Sequence, residues 1–213
     1  MRIAYLTYRG KPHVGGQGVY TRHLTKALVD LGHSVEVFGG QPYPVLDERV
    51  ALTKLPSLDL INDHYPFRFP AIWELKSRED FYELGLFLTG TFGEPAAFSA
   101  RVKRHLANRV GEFDLVHDNQ CLGNGILDMV EKDGWPLLET LHHPITVDRT
   151  IALDHAENAW RRFTTRRWFG FLRMQVRVAK RLPFVLTVSG NSKIDINRQM
   201  KVPLERLTVV PVG

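Results

Sequence analysis

Short apolar runs and amphipathic segments alternate along most of this 213-residue chain. The first run, residues 3–7, is almost continuously apolar, which is the pattern of a strand covered on both faces. A helical pattern follows, and a second apolar run at residues 35–38 ends at Gly39 and Gly40. Such alternation predicts β-α crossovers and a mainly parallel sheet. We therefore expect an α/β fold, a Rossmann-like open parallel sheet flanked by helices.

The same alternation continues in the second half of the chain. Strands are predicted at residues 114–117, 137–141, 184–188 and 207–210, and helices at residues 123–132 and 191–200, with a long basic helix ending at Arg181. Residues 41–112 break this rhythm with a strand near residues 50–55, an aromatic stretch and a helix at residues 96–110. No repeat or linker divides the chain, so we expect a single domain over residues 1–213 with an atypical insertion at about 41–112.

The insertion is rich in aromatic side chains. They are Tyr65, Phe67, Phe69, Trp73, Phe81, Tyr82, Phe87 and Phe92. One interpretation is a satellite core beneath the insertion, and the other is a lid or a ligand-binding surface.

The composition, 44% hydrophobic and 24% charged, is typical of a soluble globular protein. No apolar stretch approaches the ~18 residues that a membrane-spanning helix needs, and residues 3–8 are too few for a signal-peptide core. We therefore expect a cytoplasmic protein. Cys121 is the single cysteine, which excludes an internal disulfide and a multi-cysteine metal site and predicts a small buried hydrophobic residue.

Positive charge is concentrated in one segment, because no acidic residue lies between Glu157 and Asp195. The cations there are Arg161, Arg162, Arg166, Arg167, Arg173, Arg177, Lys180, Arg181 and Lys193. Aromatic side chains alternate with them. The segment is therefore either a peripheral helix that covers the sheet, or a contact with an anionic membrane surface through residues 161–181, each cation contributing ~1 kcal/mol. No nucleic-acid-binding motif accompanies this charge, so nucleic acid is not an expected partner.

Polar clusters follow four of the predicted strands. In an open parallel sheet, ligands bind beyond the carboxyl ends of the strands. The clusters there are residues 9–17, Asp118 with Asn119, His142 with His143, and Ser189. Within the first cluster, Gly15 and Gly16 remove side chains from a strand-to-helix turn, so backbone N–H groups can approach negatively charged oxygen.

Two common uses of such a fold are excluded by spacing. The dinucleotide fingerprint needs G-x-G-x-x-G immediately after the strand and an acidic residue at the end of the second strand. Here the glycines come too late, and Gly39 and Gly40 stand where the acid belongs. The G-x-x-x-x-G-K-[ST] phosphate loop is also missing from the sequence.

Five ordered blocks carry a resemblance to a known family. They are Pro12-x-x-Gly15-Gly16 with Tyr20, Leu24, Leu28 and residues 32–37 (GHSVEV); residues 113–117 (FDLVH); residues 139–142 (ETLH); residues 187–189 (TVS) with Asn191 and Ser192; and residues 202–213 (VPLERLTVVPVG). The set resembles the opening half of retaining glycosyltransferases of family 4, which have the GT-B fold. One residue departs from the family pattern, since Val212 stands where relatives usually have Asn.

The resemblance implies an acceptor-binding amino-terminal domain whose donor-binding carboxyl-terminal domain is absent. The complete enzyme is expected to transfer a hexose from a nucleotide sugar to a sugar- or lipid-linked acceptor, with retention and without a cofactor or a metal. The isolated chain is expected to be inactive. Two other interpretations stay open: a non-catalytic module that binds sugar or phosphate, and a peripheral module at the inner face of the membrane.

Specific residues acquire expected roles from the resemblance. His142 is the expected catalytic residue, beside the reacting sugar and the acceptor hydroxyl. The expected substrate-binding residues are Gly15, Gly16, Gln17, His143, Asn119 and Arg9, and His13 and Lys11 border the same loop. Each has a simpler alternative: a structural histidine, a turn that needs glycine, solvated loop residues, or hydrogen bonding in the turn after a strand for Asp118 and Asn119. A metal at His142, His143, Asp148 and His155 is not expected, because adjacent loop residues rarely point at one ion.

Overall fold

A computed structural model describes residues 1–11, 16–62 and 67–212 of the chain. Strands and helices alternate along it. In order they are β1 (Arg2–Thr7), α1 (Gly16–Asp30), β2 (Ser34–Gly39), β3 (Ala51–Lys54), α2 (Arg78–Leu88), α3 (Glu94–Leu106), β4 (Leu115–Asn119), α4 (Asn124–Glu131), β5 (Leu137–Thr140), α5 (Thr146–Asp154), α6 (Ala159–Trp168), α7 (Leu172–Arg181), β6 (Val185–Thr187), α8 (Gly190–Met200) and β7 (Leu207–Val209).

The seven strands form one sheet in the order β3-β2-β1-β4-β5-β6-β7, and every neighbouring pair is parallel. The expected open parallel sheet flanked by helices is therefore confirmed. Strand order runs outward in opposite directions from β1 and β4. This reversal opens a crevice at the carboxyl ends of these two strands, where ligands bind in open α/β sheets.

Strand β1 shows why the first apolar run is continuous. Side chains alternate between the two faces of a strand. Ala4 and Leu6 contribute to the larger hydrophobic cluster on one face, whereas Ile3 and Tyr5 join a second cluster beneath α1. All four are almost fully buried. Because both faces of the central strand are covered, both favour apolar side chains, and the run loses the usual alternation.

The predicted long basic helix is wrong, because two helices and a 3-10 turn occupy that segment. Asn158 begins α6 as its N-cap, with its side chain accepting a hydrogen bond from the backbone N–H of Arg161 at 2.8 Å. The 3-10 turn Phe169–Phe171 separates α6 from α7, with Gly170 at its centre. Phe171 points inward from this turn and packs on Phe92 with ring centroids 5.3 Å apart.

The satellite-core interpretation of the aromatic insertion is wrong for most of its members. Phe67, Phe69, Trp73 and Phe81 are 60–77% exposed, and of the described members of this aromatic set only Phe92 is buried. Tyr65 lies outside the described residues.

The orientation of α2 explains this exposure. Its buried residues are Asp80 and Glu83, which form ion pairs with Arg101 of α3 at 2.7 and 2.6 Å. The charged face of the helix therefore packs inward, where the charges are paired, and the aromatic face is left in solvent.

Cys121 is fully buried, as its sequence context predicts, and its thiol donates to the carbonyl of Pro95 at 3.2 Å. Among the described residues, no helix is both long enough and apolar enough to cross a membrane.

Candidate functional site

The carboxyl ends of β1, β4 and β5 meet at a cavity of about 300 Å³. Its lining residues are Tyr8, Arg9, Lys11, Gly16, Gln17, Gly18, Gln120, His143, Ile145 and Asp148. The fold thus brings together four of the predicted substrate-binding residues: Arg9, Gly16, Gln17 and His143. A larger cavity, of about 770 Å³, lies beneath the insertion. We assign the site to the smaller cavity because it lies at the strand ends, beside the switch in strand order.

The amino terminus of α1 forms one wall of this cavity. Gly16 is the first residue of the helix and is exposed. Gly18 is buried, and a β-carbon on it would collide with the carbonyl of Lys11, so only glycine lets the loop approach the helix this closely. Gly18 was not among the predicted site residues, although a third glycine so close to Gly15 and Gly16 indicates that the backbone is closely approached there. Gly15 and His13 lie outside the described residues.

His142 lies beside the cavity, at the end of β5. Its Nε2 atom is 2.7 Å from Oδ1 of Asn119, and its ring stands edge-on to Tyr20 with centroids 4.6 Å apart. Burial, followed by the proximity of His143, lowers the pKa of His142 to about 4. The imidazole is therefore neutral at physiological pH.

The orientation of Asn119 fixes the tautomer of His142. The Nδ2 atom of Asn119 donates to Oγ1 of Thr21 at 3.2 Å, and that hydroxyl donates to the carbonyl of Gln17 at 2.7 Å. The Oδ1 atom of Asn119 must then accept from His142, so the imidazole proton resides on Nε2. The Nδ1 atom remains an acceptor, and no described residue hydrogen-bonds to it.

Gln120 holds the histidine loop in place. Its Oε1 atom accepts from the backbone N–H of His142 at 2.8 Å, and its Nε2 atom donates to the carbonyl of His143 at 3.0 Å. The residue is 1% exposed and has a φ of 58°. Sequence reasoning missed Gln120, because no sequence signal distinguishes a buried glutamine in a left-handed conformation from an ordinary loop residue.

His143 is exposed, and its Nε2 atom lies 3.2 Å from a carboxylate oxygen of Asp148. His142 faces Asn119 instead. Within the part of the chain that the structure describes, no three His, Cys, Asp or Glu side chains come together as ligands of one metal ion.

Arg9 lines the cavity, but Glu94 already holds its guanidinium. Two nitrogens of Arg9 contact the two carboxylate oxygens of Glu94 at 2.6 and 2.9 Å. Burial outweighs the attraction of Arg9 and raises the pKa of Glu94 to about 7. Below neutral pH the glutamate therefore loses its charge, and Arg9 retains a positive charge at the cavity wall.

Beneath the cavity, Asp118 and Glu139 stand opposite each other on β4 and β5, and both are fully buried. Burial raises the pKa of Asp118 to about 6, and burial together with the Asp118 charge raises the pKa of Glu139 well above its usual value. The Oδ2 atom of Asp118 accepts from the backbone N–H of Leu122 at 2.9 Å, which favours the turn interpretation of this residue over contact with a ligand.

The fourth predicted polar cluster has a structural role, because Ser189 is the N-cap of α8 and its Oγ accepts from the N–H of Ser192 at 3.1 Å.

On α6, the rings of Trp160 and Phe163 are stacked with centroids 5.7 Å apart, and the two side chains are 70% and 53% exposed.

Known proteins resemble this chain in sequence and in fold. The family model described as Glycosyltransferase Family 4 matches residues 14–213. A curated relative, an MMP alpha-(1->4)-mannosyltransferase of Mycolicibacterium hassiacum, is 54% identical over 214 residues. The match covers all of this chain and 52% of the relative, so the chain spans about half the length of the protein that it matches.

Solved glycosyltransferases share the fold. WaaG, a glycosyltransferase involved in lipopolysaccharide biosynthesis, is 16% identical with a TM-score of 0.56, over 99% of this chain and 45% of that structure. UGT89C1 of Arabidopsis thaliana complexed with quercetin is 11% identical with a TM-score of 0.55, over 100% and 51%. LpCGTa in complex with UDP is 12% identical with a TM-score of 0.53, over 100% and 53%. The chain thus has the architecture of the amino-terminal half of the GT-B fold.

Proposed function

The chain belongs to glycosyltransferase family 4, and on that premise we propose that it is the acceptor-binding domain of a retaining mannosyltransferase. The complete enzyme transfers mannose from a nucleotide sugar to a hydroxyl of a saccharide acceptor and forms an α-(1→4) linkage, with no resident cofactor or metal. The 54% identity to a protein named for this linkage supports the donor sugar and the regiochemistry. We further propose that residues 1–213 form a single domain and that the insertion at about 41–112 selects the acceptor.

The observation that carries this proposal is the neutral, oriented imidazole of His142 at the end of β5. With its proton on Nε2 and held by Asn119, its Nδ1 atom accepts a hydrogen bond from the acceptor hydroxyl. A pKa of about 4 makes this nitrogen a weak base at neutral pH, since efficient general bases have pKa values near the working pH. His142 therefore orients the hydroxyl.

The proton of the acceptor leaves by another route. As the acceptor oxygen bonds to the anomeric carbon, the bond from that carbon to the donor diphosphate breaks on the same face. The single proton of the hydroxyl leaves its hydrogen bond to Nδ1 of His142 and passes to the departing phosphate oxygen. Attack and departure on one face give retention of configuration.

The first turn of α1 assists the leaving group. The helix is 15 residues long and its exposed amino terminus lies at the cavity. Unpaired N–H groups and a partial charge of roughly +0.5 at a helix amino terminus favour a developing phosphate anion. Gly16 gives the diphosphate access to this backbone.

The full-length enzyme, incubated with GDP-mannose or UDP-mannose and a mannoside acceptor, tests the proposal. We expect an α-(1→4)-linked product by NMR and release of the nucleoside diphosphate. A β-linked product would disprove retention. A full-length protein that binds the acceptor without transfer would favour the non-catalytic alternative, and turnover by the 213-residue chain alone would disprove the division of labour between two domains.

A second candidate property is contact with an anionic membrane. The exposed pair of Trp160 and Phe163, flanked by Arg161 and Arg162 on α6, favours it. Replacing Trp160 and Phe163 with Ser should abolish sedimentation with phosphatidylglycerol vesicles. Undiminished sedimentation of this variant would show that α6 does not contact the membrane and is a peripheral helix that covers the sheet.

A further inference from the structure

A third cavity, of about 630 Å³, is lined by residues of α5, α6, α7 and α8 and of the 3-10 turn before α7. Its cations are Arg149, Arg166, Arg173, Arg177, Lys180 and Arg181, and no acidic residue is among the side chains that line it. We call it the cationic groove. It is separate from the cavity at the strand ends, and the proposed transfer reaction uses none of its residues.

Most of these cations have no ion-pair partner among the described residues. Arg181 pairs with Glu131 at 2.6 Å, and Arg177 donates to Oδ1 of Asn124 at 2.6 Å. The other four cations form no ion pair with any residue in the described ranges. Six like charges around one concavity repel each other, and an arrangement with so few counter-charges indicates an anionic ligand.

Arg149 gives a second, independent indication. Its Nε atom is shielded from solvent and has no hydrogen-bond partner among the residues that the structure describes. Buried N–H donors in native proteins almost always have an acceptor, and a charged donor without one is costly. An oxygen ligand in the cationic groove would satisfy this donor.

We propose that the cationic groove binds a soluble phosphate ester or oligophosphate. Guanidinium groups present paired N–H donors that match phosphate oxygens, and five of the six cations are arginines. The concave shape favours a ligand that enters the groove over a flat lipid surface. The exposed aromatics that a membrane contact would use, Trp160 and Phe163, are not part of the lining.

Titration of the purified protein with inorganic phosphate and pyrophosphate by calorimetry tests the proposal. The groove variant is Arg166→Glu/Arg173→Glu. The matched control is Lys54→Glu/Arg78→Glu, which makes the same change in net charge on β3, at the opposite edge of the sheet, and on α2. We expect the groove variant to weaken pyrophosphate binding at least about ten-fold and the control less than about two-fold, with stronger binding at low salt.

A variant that removes charge without reversing it, Arg173→Gln/Lys180→Gln, addresses the chance that charge reversal disturbs folding. It should weaken binding to an intermediate extent while its melting temperature and circular dichroism stay unchanged. Equal pyrophosphate affinity in the groove and control variants would overturn the proposal and assign the anion to the amino terminus of α1. No binding at millimolar pyrophosphate would also overturn it, as would a groove variant that loses only vesicle binding.

Discussion

The Nε2 atom of His142 and the Oδ1 atom of Asn119 are 2.7 Å apart, and this hydrogen bond joins the ends of β5 and β4. The bond continues through Thr21 to the carbonyl of Gln17 at the start of α1. Three segments that are far apart in sequence are thereby connected by one polar chain. Its direction, set by which atoms can donate, leaves the Nδ1 atom of His142 as an acceptor.

Replacing His142 with Ala in the full-length enzyme should lower kcat by roughly 10- to 100-fold, because the acceptor hydroxyl loses its orienting acceptor. Stability should also fall, by about 1–3 kcal/mol, because the Oδ1 atom of the fully buried Asn119 loses its donor. The matched control is His155→Ala, which removes an exposed histidine at the end of α5 and should leave kcat unchanged. Near-normal turnover in His142→Ala would reduce His142 to a structural role.

Replacing Gln120 with Gly should reduce both stability and activity. Glycine relieves the left-handed conformation, for a net gain of about 0.5–1 kcal/mol, but the N–H of His142 and the carbonyl of His143 lose their partners at about 1–3 kcal/mol each. Lys201 has the same φ of 58° at the end of α8 and is exposed.

Lys201→Gly therefore isolates the backbone effect. It should raise the free energy of unfolding by about 0.5–1 kcal/mol and leave transfer unchanged. Urea denaturation of both variants, with kinetics of the full-length forms, measures the two effects. A Gln120→Gly protein as stable and active as Lys201→Gly would show that the side-chain bridge has no role.

Replacing Glu139 with Gln should make stability less dependent on pH. The pKa of Asp118, about 6, and the pKa of Glu139 are both raised in the fold, so the folded state retains protons that the unfolded chain has released. This contribution to stability is complete below about pH 4, the unfolded pKa, and is lost as pH rises through 6. A neutral amide beside Asp118 does not ionise and can donate to its carboxylate, which reduces the loss.

Between pH 4 and 8, the free energy of unfolding of Glu139→Gln should therefore rise relative to that of the unmodified protein, because the variant lacks the buried carboxyl whose pKa is raised. His117 and His142, whose pKa values are lowered to about 4, contribute the opposite slope. Both proteins carry these histidines, so the difference between the two curves cancels their effect. Parallel curves over this range would mean that the carboxyl pair is ionised normally.

Cys121 should not react with thiol reagents in the native protein. The side chain is fully buried, and burial raises its pKa well above the ordinary value, so neither access nor thiolate is available. Titration with a chromogenic disulfide should release no chromophore from the native protein and one equivalent in denaturant. Rapid reaction without denaturant would show that the segment after β4 opens locally.

The parallel sheet could be predicted because its signals are local. A strand covered on both faces favours apolar side chains at successive positions, as residues 3–6 show, and the polar residues at the carboxyl ends of parallel strands then share one edge. The meeting of Arg9, Gly16, Gln17 and His143 at one cavity follows from that rule. Roles in catalysis and binding for these residues, and for Asn119, His142 and Gly15, stay predictions.

What escaped prediction depends on contacts that are distant in sequence. The inward face of α2 is charged, because Arg101 of α3 pairs with Asp80 and Glu83. The sequence of α2 alone does not indicate that an arginine of another helix lies opposite these two carboxylates. The break between α6 and α7 lets Phe171 pack against Phe92, which is distant in sequence. Gln120 became visible only when its backbone conformation and its two loop contacts were known.

The pairing of β1 with β4 joins Ile3 to Leu115, and nearly the whole first half of the chain lies between them. Such pairing is slow to form, because the chain loses the entropy of closing a long loop before the stabilising contacts between the two strands are made. The edges of the sheet can form earlier without creating any binding function, because the loops after β1, β4 and β5 are brought together only by the central strands. A refolding chain would therefore regain ligand binding late, and binding would report completion of the central sheet.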